Sequence, residues 1–287
     1  YEIDRGLVGS EMCIRDTPRQ GPRQPQDGRH ARVAAVADRG RLLSDSGHDP
    51  FAPPPGRGGP QIIPRPPSAR LGGPAPWAGL DPSRRRPSLD HIVDRLASRR
   101  DPITLGEVPD EARDSAVLCV LYETHDGPHV LLTRRSPTMR HHAHEISFPG
   151  GRRDDTDPDL WSTALREAEE EVALDPSSVV PVGGLDRFIT VGSRTLIHPY
   201  VAVSESPPKV HVASPGEVEA IVRVSLAELL SDVVWREEIW TWQGATPRAL
   251  SFFEVPGDTI WGATGSMLRQ LLAIATGTDD SILGGPG

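Results

Sequence analysis

The sequence predicts an α+β domain in which helices cover a mixed β-sheet. Short apolar runs of β type are interspersed with a few amphipathic segments, without an internal repeat. A hydrophobic fraction of 37% and a charged fraction of 25% are those of an ordinary globular domain. Proline and glycine are concentrated in the first 90 residues, which hold 15 of the 30 prolines and 12 of the 28 glycines. The ordered domain is therefore expected after this region.

Each element of the domain is predicted from its own pattern. Leu89, Ile92 and Leu96 lie at helical spacing and predict a first helix. Two apolar runs, Ala116–Glu123 and His129–Thr133, flank a turn-like Asp-Gly-Pro and predict two strands. Similar runs predict strands over Val179–Val182, Leu196–Val203 and Ala220–Val224, a short helix over Leu226–Leu230 and a closing helix over Ile260–Ala275.

The chain outside this pattern is predicted to be disordered. Residues 1–87 form an extension rich in proline, glycine and arginine, which buries too little surface to offset the entropy of ordering. Residues 1–16 include LVGSEMCIRD, which resembles a translated sequencing adaptor, so we expect this segment to be an assembly artefact. The folded domain is then expected over residues 88–277, followed by a flexible tail over 278–287.

Composition excludes several classes of function. The 31 basic and 40 acidic residues give a net charge of −9, which is not the basic footprint of a nucleic-acid-binding protein. No run approaches the ~20 apolar residues of a membrane span. Cys13 and Cys119 are too few for a zinc site or a disulfide framework. We expect a cytoplasmic protein that acts on a small molecule, with neither nucleic acid nor membrane as partner.

The most informative segment is FPGGRRDDTDPDLWSTALREAEEEVAL, residues 148–174. Its double glycine (residues 150–151) favours a tight turn, and a helix is predicted over Trp161–Val172, which has no proline or glycine to stop it. On that helix Glu167, Glu170 and Glu171 lie at i, i+3 and i+4 and are expected to converge on one side. Because like charges at this spacing repel by roughly 0.2–0.5 kcal/mol per pair, we predict a divalent cation as counter-charge.

This segment resembles the Nudix box of the Nudix hydrolases, written G-x5-E-x7-R-E-U-x-E-E-x-G-U with U an aliphatic residue. Gly151 matches the leading glycine, and Arg166, Glu167, Ala168, Glu170, Glu171 and Leu174 match R, E, U, E, E and U. The resemblance implies a Nudix-type α/β/α sandwich with a mixed β-sheet. It also implies metal-dependent hydrolysis of a nucleoside diphosphate that is linked to another group.

Two positions depart from the box. The spacing from Gly151 to Arg166 is one residue longer, which leaves Asp157 as the nearest counterpart of the first glutamate. Ala173 replaces the second glycine. Since alanine disfavours a left-handed conformation, we expect an ordinary backbone at Ala173.

The resemblance also implies roles for the matched residues. Mg²⁺ or Mn²⁺ would be bound mainly by Glu167 and Glu171, with the carbonyl of Gly150 as a backbone ligand. Glu170 would be a further ligand or would hold the attacking water. Arg166 would orient an acid through an ion pair. The expected catalytic residues are thus Glu170, Glu171 and Arg166.

A basic cluster precedes the box in LLTRRSPTMRHHAHEISFPGG, residues 131–151. Its members Arg134, Arg135, Arg140 and His142 are expected to bind substrate phosphates, since arginine donates paired hydrogen bonds to phosphate oxygens. The string is similar to a motif of the coenzyme A diphosphatase branch, apart from His144 in place of a glycine. IWGAT, at residues 260–264, is similar to the start of that branch's closing helix. The resemblance implies hydrolysis of coenzyme A (CoA) or its derivatives to 3′,5′-ADP and 4′-phosphopantetheine.

Other interpretations remain open. ADP-ribose or NADH is an alternative substrate, because the box specifies phosphate chemistry and not the leaving group. A non-catalytic nucleotide-sensing module is a third interpretation. Glu170 is the first candidate for the general base, with Glu217 and Glu219 as alternatives. The aromatic residues within 235–253 are compatible with a core, with a homodimer surface or with a wall for the pantetheine group.

Overall fold

Strands and helices follow one another in the predicted mixed order in the computed structural model, which describes residues 49–190, 194–242 and 246–280. The strands are β1 (Arg70–Leu71), β2 (Thr104–Leu105), β3 (Arg113–Thr124), β4 (Gly127–Arg135), β5 (Ile146–Ser147), β6 (Gly150–Arg152), β7 (Val179–Gly184), β8 (Arg187–Ile189), β9 (Thr195–Ser204), β10 (Val218–Ser225), β11 (Trp235–Trp240), β12 (Arg248–Val255) and β13 (Asp258–Ile260). The α-helices are α1 (Leu89–Ala97), α2 (Leu160–Val172), α3 (Leu226–Leu229) and α4 (Gly262–Thr276), with short 3₁₀ helices at Pro82–Arg85 and Pro176–Ser178.

The larger sheet places β3 at its centre. Among the described residues its main order is β10-β4-β3-β9-β8-β2, with β5 beside β4, β6 beside β3 and β7 beside β9. β3 runs parallel to β9 and β2 runs parallel to β8, whereas the other pairs are antiparallel. The predicted α+β class with a mixed sheet is therefore confirmed.

Alternate residues of β3 face two different cores, as the period of a strand requires. One face contributes Ala116, Leu118, Val120 and Tyr122 to a cluster with Ala164, Ala168 and Val172 of α2. The other contributes Val117, Cys119 and Leu121 to a cluster with Ile92 of α1 and with Met267, Leu268 and Leu271 of α4. Helices thus cover both faces, which gives the expected α/β/α layers and places α2 next to β3 and β6.

A second sheet, β1-β11-β12-β13, involves the segment before residue 88. Its β1 pairs with β11, and Trp77 is fully buried and stacks on Phe253 with 6.4 Å between ring centroids. Arg65 donates to both carboxylate oxygens of Glu238, at 2.7 and 2.8 Å. The prediction of disorder is therefore wrong for residues 49–87. Single side chains such as Trp77 and Arg65 hold this segment against the domain, and they do not recur at the spacing of a helix or a strand. Residues 1–48, with the predicted artefact at 1–16, lie outside the described residues.

The C-terminal boundary also differs from the prediction. Asp280 accepts a hydrogen bond from Arg99 at 2.7 Å through its side chain and one from Gln270 at 2.9 Å through its carbonyl. The predicted flexible tail therefore begins too early, and residues 281–287 lie outside the described part. In the described residues no helix combines the length and apolar character that crossing a membrane requires.

The aromatic residues of the hairpin β11–β12 lie largely in the core. Trp240, Phe252 and Phe253 are fully buried, and Trp240 and Phe252 pack with Trp261. For these aromatic residues the sequence left three interpretations open, namely a core, a homodimer surface or a wall for the pantetheine group. The burial of these side chains agrees with the first, the core. A homodimer, which the sequence leaves open as an alternative, stays a hypothesis.

Candidate active site

Helix α2 has well-defined ends. The Asp159 side chain accepts a hydrogen bond from the Ser162 amide at 2.7 Å and caps the N-terminus. At the other end Ala173 has φ 54° and ψ 35°, in the left-handed region, so the prediction of an ordinary backbone there is wrong. The Ala173 amide donates to the Glu169 carbonyl, which is the hydrogen bond of the αL cap, and the Leu174 amide donates to the Ala168 carbonyl. These hydrogen bonds and the burial of Leu174 hold alanine where glycine would be unstrained.

The double glycine lies directly against two glutamates of this helix. The Gly150 amide donates to Glu171 Oε2 at 3.3 Å. A Cβ atom on Gly151 would overlap the carboxyl group of Glu167, and one on Gly150 would meet the backbone of β3. A side chain at 150 would collide with the backbone of β3, and one at 151 is accommodated only if the Glu167 carboxyl moves. The double glycine thus lets both carboxylates lie at the same turn.

Both of these carboxylates are buried. Glu167 and Glu171 are 2% and 5% exposed. Burial raises the pKa of Glu171 to about 8; the positive charge of Arg135 opposes this shift, and the negative charge of Glu167 adds to it. Two adjacent buried carboxylates of this kind match a site for a hard divalent cation, which would offset their mutual repulsion.

Arg166 links the helix to the loop that precedes it. Its Nε and one terminal nitrogen donate to the two oxygens of Asp157, both at 2.9 Å, and the Arg166 guanidinium holds the pKa of that carboxyl well below its usual range. Its other terminal nitrogen donates to Glu167 at 2.9 Å and to Glu170 at 3.3 Å. Arg166 therefore fixes the orientation of Glu167, and Asp157 anchors Arg166.

Comparison with known proteins agrees with this geometry. A family model described as the NUDIX domain matches residues 112–243. Nudix hydrolase 15, mitochondrial, and Nudix hydrolase 22, chloroplastic, both from Arabidopsis thaliana, are 34% and 37% identical to the chain, over 64% and 56% of its length. The chain spans 66% and 55% of the length of these two relatives. The uncharacterized Nudix hydrolase NudL of Photorhabdus laumondii is 34% identical over 64% of the chain and 96% of that relative. The chain belongs to the Nudix hydrolase family.

Nudix hydrolases use divalent cations such as Mg²⁺ or Mn²⁺. In this Nudix domain, however, the three predicted glutamates do not form one cluster. Glu170 is exposed and contacts Arg166, and within the described ranges no three His, Cys, Asp or Glu side chains are gathered as a metal-binding group. The predicted convergence is thus correct for Glu167 and Glu171 but wrong for the trio. A carboxylate pair still suits Mg²⁺, which keeps several waters and shares ligands with substrate phosphates.

The predicted phosphate-binding residues lie in different environments. Arg134 donates to both oxygens of Asp258, at 2.8 and 2.7 Å, which occupies one edge of its guanidinium. Arg140 is exposed, whereas Arg135 is buried beside Glu171. His142 lies 2.9 Å from Glu145. The four side chains therefore do not form one exposed basic patch.

Two of the sequence motifs meet at a small cavity. Arg135 and His142 line it from the basic loop, and Trp261 and Thr264 line it from the start of α4. Its volume is about 20 Å³, enough for about one water molecule. The basic loop and the IWGAT segment are thus neighbours in the Nudix domain, although more than 100 residues of sequence separate them.

The alternative general bases occupy different positions. The negative charge of Glu217 contributes to the raised pKa of Glu171, which places Glu217 near the carboxylate pair. Glu219 lies 2.8 Å from His144 and 3.7 Å from Arg134. Asp258, the partner of Arg134, was not predicted, because one aspartate after a Pro-Gly turn carries no pattern that points to a site.

Proposed function

We propose that this Nudix protein hydrolyses the diphosphate of CoA or a CoA derivative. The products would be 3′,5′-ADP and 4′-phosphopantetheine. The observation that carries the hydrolytic part is the buried pair Glu167 and Glu171 against the Gly150-Gly151 turn, in a chain of the Nudix family. The choice of CoA is supported by the basic loop and the IWGAT segment, which resemble the CoA diphosphatase branch and line one cavity.

The site residues have separate tasks in this proposal. Glu167 and Glu171 would hold Mg²⁺ or Mn²⁺ together with the carbonyl of Gly150. The cation, when bound, polarises a phosphoryl oxygen and lowers the pKa of the attacking water. Arg166 keeps Glu167 in place through its 2.9 Å hydrogen bond. Glu170 is exposed and is therefore accessible to that water, so it is our choice for the general base.

Substrate recognition in this proposal depends on the basic loop. CoA carries a diphosphate and a 3′-phosphate, so it would present several negative charges to a site whose carboxylates would hold a cation. Exposed Arg140 would contact the phosphate that lies farther from the carboxylates. Arg135 would act from the buried side, next to Glu171, and His142 from the cavity that it lines together with Arg135.

Identification of the products tests the proposal. The purified chain would be incubated with CoA, ADP-ribose or NADH in the presence of Mg²⁺ or Mn²⁺, and the products would be analysed by mass spectrometry. We expect the highest kcat/KM for CoA, with 3′,5′-ADP as a product. A preference for ADP-ribose or NADH would refute the choice of substrate and leave a Nudix hydrolase. Binding without turnover of any of the three would indicate the nucleotide-sensing module.

A matched pair of variants tests the assignment of Glu171. Glu171→Gln should lower kcat by roughly 100-fold or more, because it removes several kcal/mol of transition-state stabilisation. The same substitution at Glu169, an exposed glutamate on the same helix, should have no effect. Calorimetry with Mn²⁺ should show weaker binding for Glu171→Gln alone. Equal turnover and equal Mn²⁺ affinity in the two variants would remove Glu171 from the metal site.

A further inference from the structure

Five polar residues form a closed ring at one side of the candidate site, through four side-chain contacts and one backbone carbonyl. The Gln61 amide nitrogen donates to Asp258 Oδ1 at 3.0 Å, and Asp258 accepts two hydrogen bonds from Arg134 at 2.7 and 2.8 Å. Arg134 lies 3.7 Å from Glu219, whose other oxygen is 2.8 Å from His144 Nδ1. The Gln61 amide nitrogen also donates to the His144 carbonyl at 2.8 Å, which closes the ring.

Gln61, like Asp258, lies outside the residues that match the Nudix family model. It precedes residues 112–243, which match the family model, and it lies in the segment predicted to be disordered. It is 9% exposed, and its carbonyl oxygen accepts a hydrogen bond from the Thr259 amide at 3.0 Å. The next residue, Ile62, is 88% exposed. The buried side chain of Gln61 thus reaches the candidate site from a segment of irregular structure.

The ring has a buried side and a solvent side. Gln61 and Asp258 are buried, whereas the side chains of His144 and Glu219 are about one-third exposed. Glu219 is the extra residue at an irregularity between β10 and β4, where the register shifts between Val218 and Ala220. Such bulges redirect a side chain, and here the shift allows Glu219 to meet His144.

The ring holds the loop between β4 and β5, which carries His142 and continues into the double glycine. His144 has φ 63°, a left-handed conformation that costs free energy for a residue other than glycine. Within the loop, the His144 amide donates to the Arg135 carbonyl and the Arg135 amide donates to the Glu145 carbonyl. The hydrogen bond from Gln61 fixes the one peptide group that joins His144 to Glu145. Without it, the loop has fewer contacts that oppose relaxation of this conformation.

We propose that Gln61 is a positioning residue that sets the conformation of this loop, and through it the affinity of the loop for the substrate phosphates. The kinetic part of this inference rests on the proposed hydrolase function. The structural part does not, because it concerns the loop in the ligand-free protein.

Three variants test the inference. Gln61→Leu removes both donors and the acceptor, whereas Gln61→Glu removes the donors and keeps an acceptor for Thr259. Ile62→Ala changes the exposed neighbour and serves as the control. Hydrogen exchange of the backbone amides of His144 and Glu145 should become roughly tenfold faster in both Gln61 variants, since one buried hydrogen bond corresponds to about that factor. The control should exchange like the wild type.

Kinetics separate positioning from general stability. With CoA and Mg²⁺, both Gln61 variants should show a roughly tenfold higher KM and a nearly unchanged kcat at temperatures well below their Tm. Wild-type exchange and KM in Gln61→Glu would overturn the inference and reduce Gln61 to an anchor for Thr259. If the wild type hydrolysed no tested substrate, the proposed function would fail, and the exchange rates would still decide whether Gln61 holds the loop.

Discussion

Replacing Gly151 with alanine should displace the carboxylate of Glu167. The added Cβ would lie 2.1 Å from Cδ of Glu167, whereas ordinary contact begins at 3.4 Å, so the carboxyl group must retreat by about 1.3 Å. It cannot do so without weakening its 2.9 Å hydrogen bond to Arg166. A misplacement of about 1 Å in a catalytic arrangement lowers the rate by roughly 100-fold. We therefore expect Gly151→Ala to lose at least this factor in kcat/KM for CoA.

The assay combines turnover, Mn²⁺ calorimetry and thermal unfolding. Gly79→Ala is the control, because a Cβ there meets no atom within 4 Å. We expect Gly151→Ala to remain folded, with weaker Mn²⁺ binding and slow turnover, while Gly79→Ala behaves like the wild type. If Gly151→Ala kept normal Mn²⁺ affinity and turnover, the contact between the glycine turn and Glu167 would have no role in catalysis.

Three predictions concern stability, each measured by urea unfolding. Ala173→Gly should raise the free energy of unfolding by roughly 1 kcal/mol, because glycine adopts φ 54° without strain; a decrease would contradict the strained cap. Trp77→Ala should lower it by about 3–5 kcal/mol, since this fully buried ring anchors residues 49–87; a loss below ~1 kcal/mol would mean that the segment packs only weakly. Asp186 accepts hydrogen bonds from Arg99 and Arg100, among others, and these lower its pKa to about 2 against the opposing effect of burial. Asp186→Asn should therefore cost about 3 kcal/mol at pH 7, and the difference from the wild type should shrink as the pH falls from the ordinary pKa of 3.8 towards 2; a constant difference would exclude the ion pairs as its origin.

The central sheet and the carboxylate helix were predictable because each carries a local pattern. Buried residues on both faces make β3 a continuous apolar run, and the predicted strand Ala116–Glu123 lies inside the observed Arg113–Thr124. Helix α2 begins one residue before the predicted Trp161 and ends at the predicted Val172. The approach of Glu167 and Glu171 to the double glycine follows from a short loop between a turn and a helix. Such features depend on residues close in sequence.

The second sheet and the ring around Gln61 were not predictable in this way. Trp77 and Gln61 are single residues in a stretch whose proline and glycine content resembles that of a disordered chain. Their partners, Phe253 and Asp258, lie 176 and 197 residues away in the sequence, and no periodicity connects them. The exposure of Glu170 was not predictable from helical spacing either. Spacing gives the side of the helix on which a residue lies, but not which neighbouring elements cover that side.

The motifs have glycine for two different physical reasons, a left-handed backbone at 144 and 173 and space for a neighbouring carboxyl group at 151. At 144 and 173, where the resembled motifs have glycine, the chain has His144 and Ala173, yet the backbone keeps φ 63° and φ 54°. A left-handed residue costs about 1–2 kcal/mol, which the hydrogen bonds around His144 and the buried Leu174 offset. At Gly151 the backbone is not left-handed, and the requirement is space for the Glu167 carboxyl. Neighbouring contacts can compensate for backbone strain, whereas a side chain at 151 is accommodated only if the Glu167 carboxyl moves, so Gly151 is the glycine whose replacement we expect to disturb the carboxylate pair.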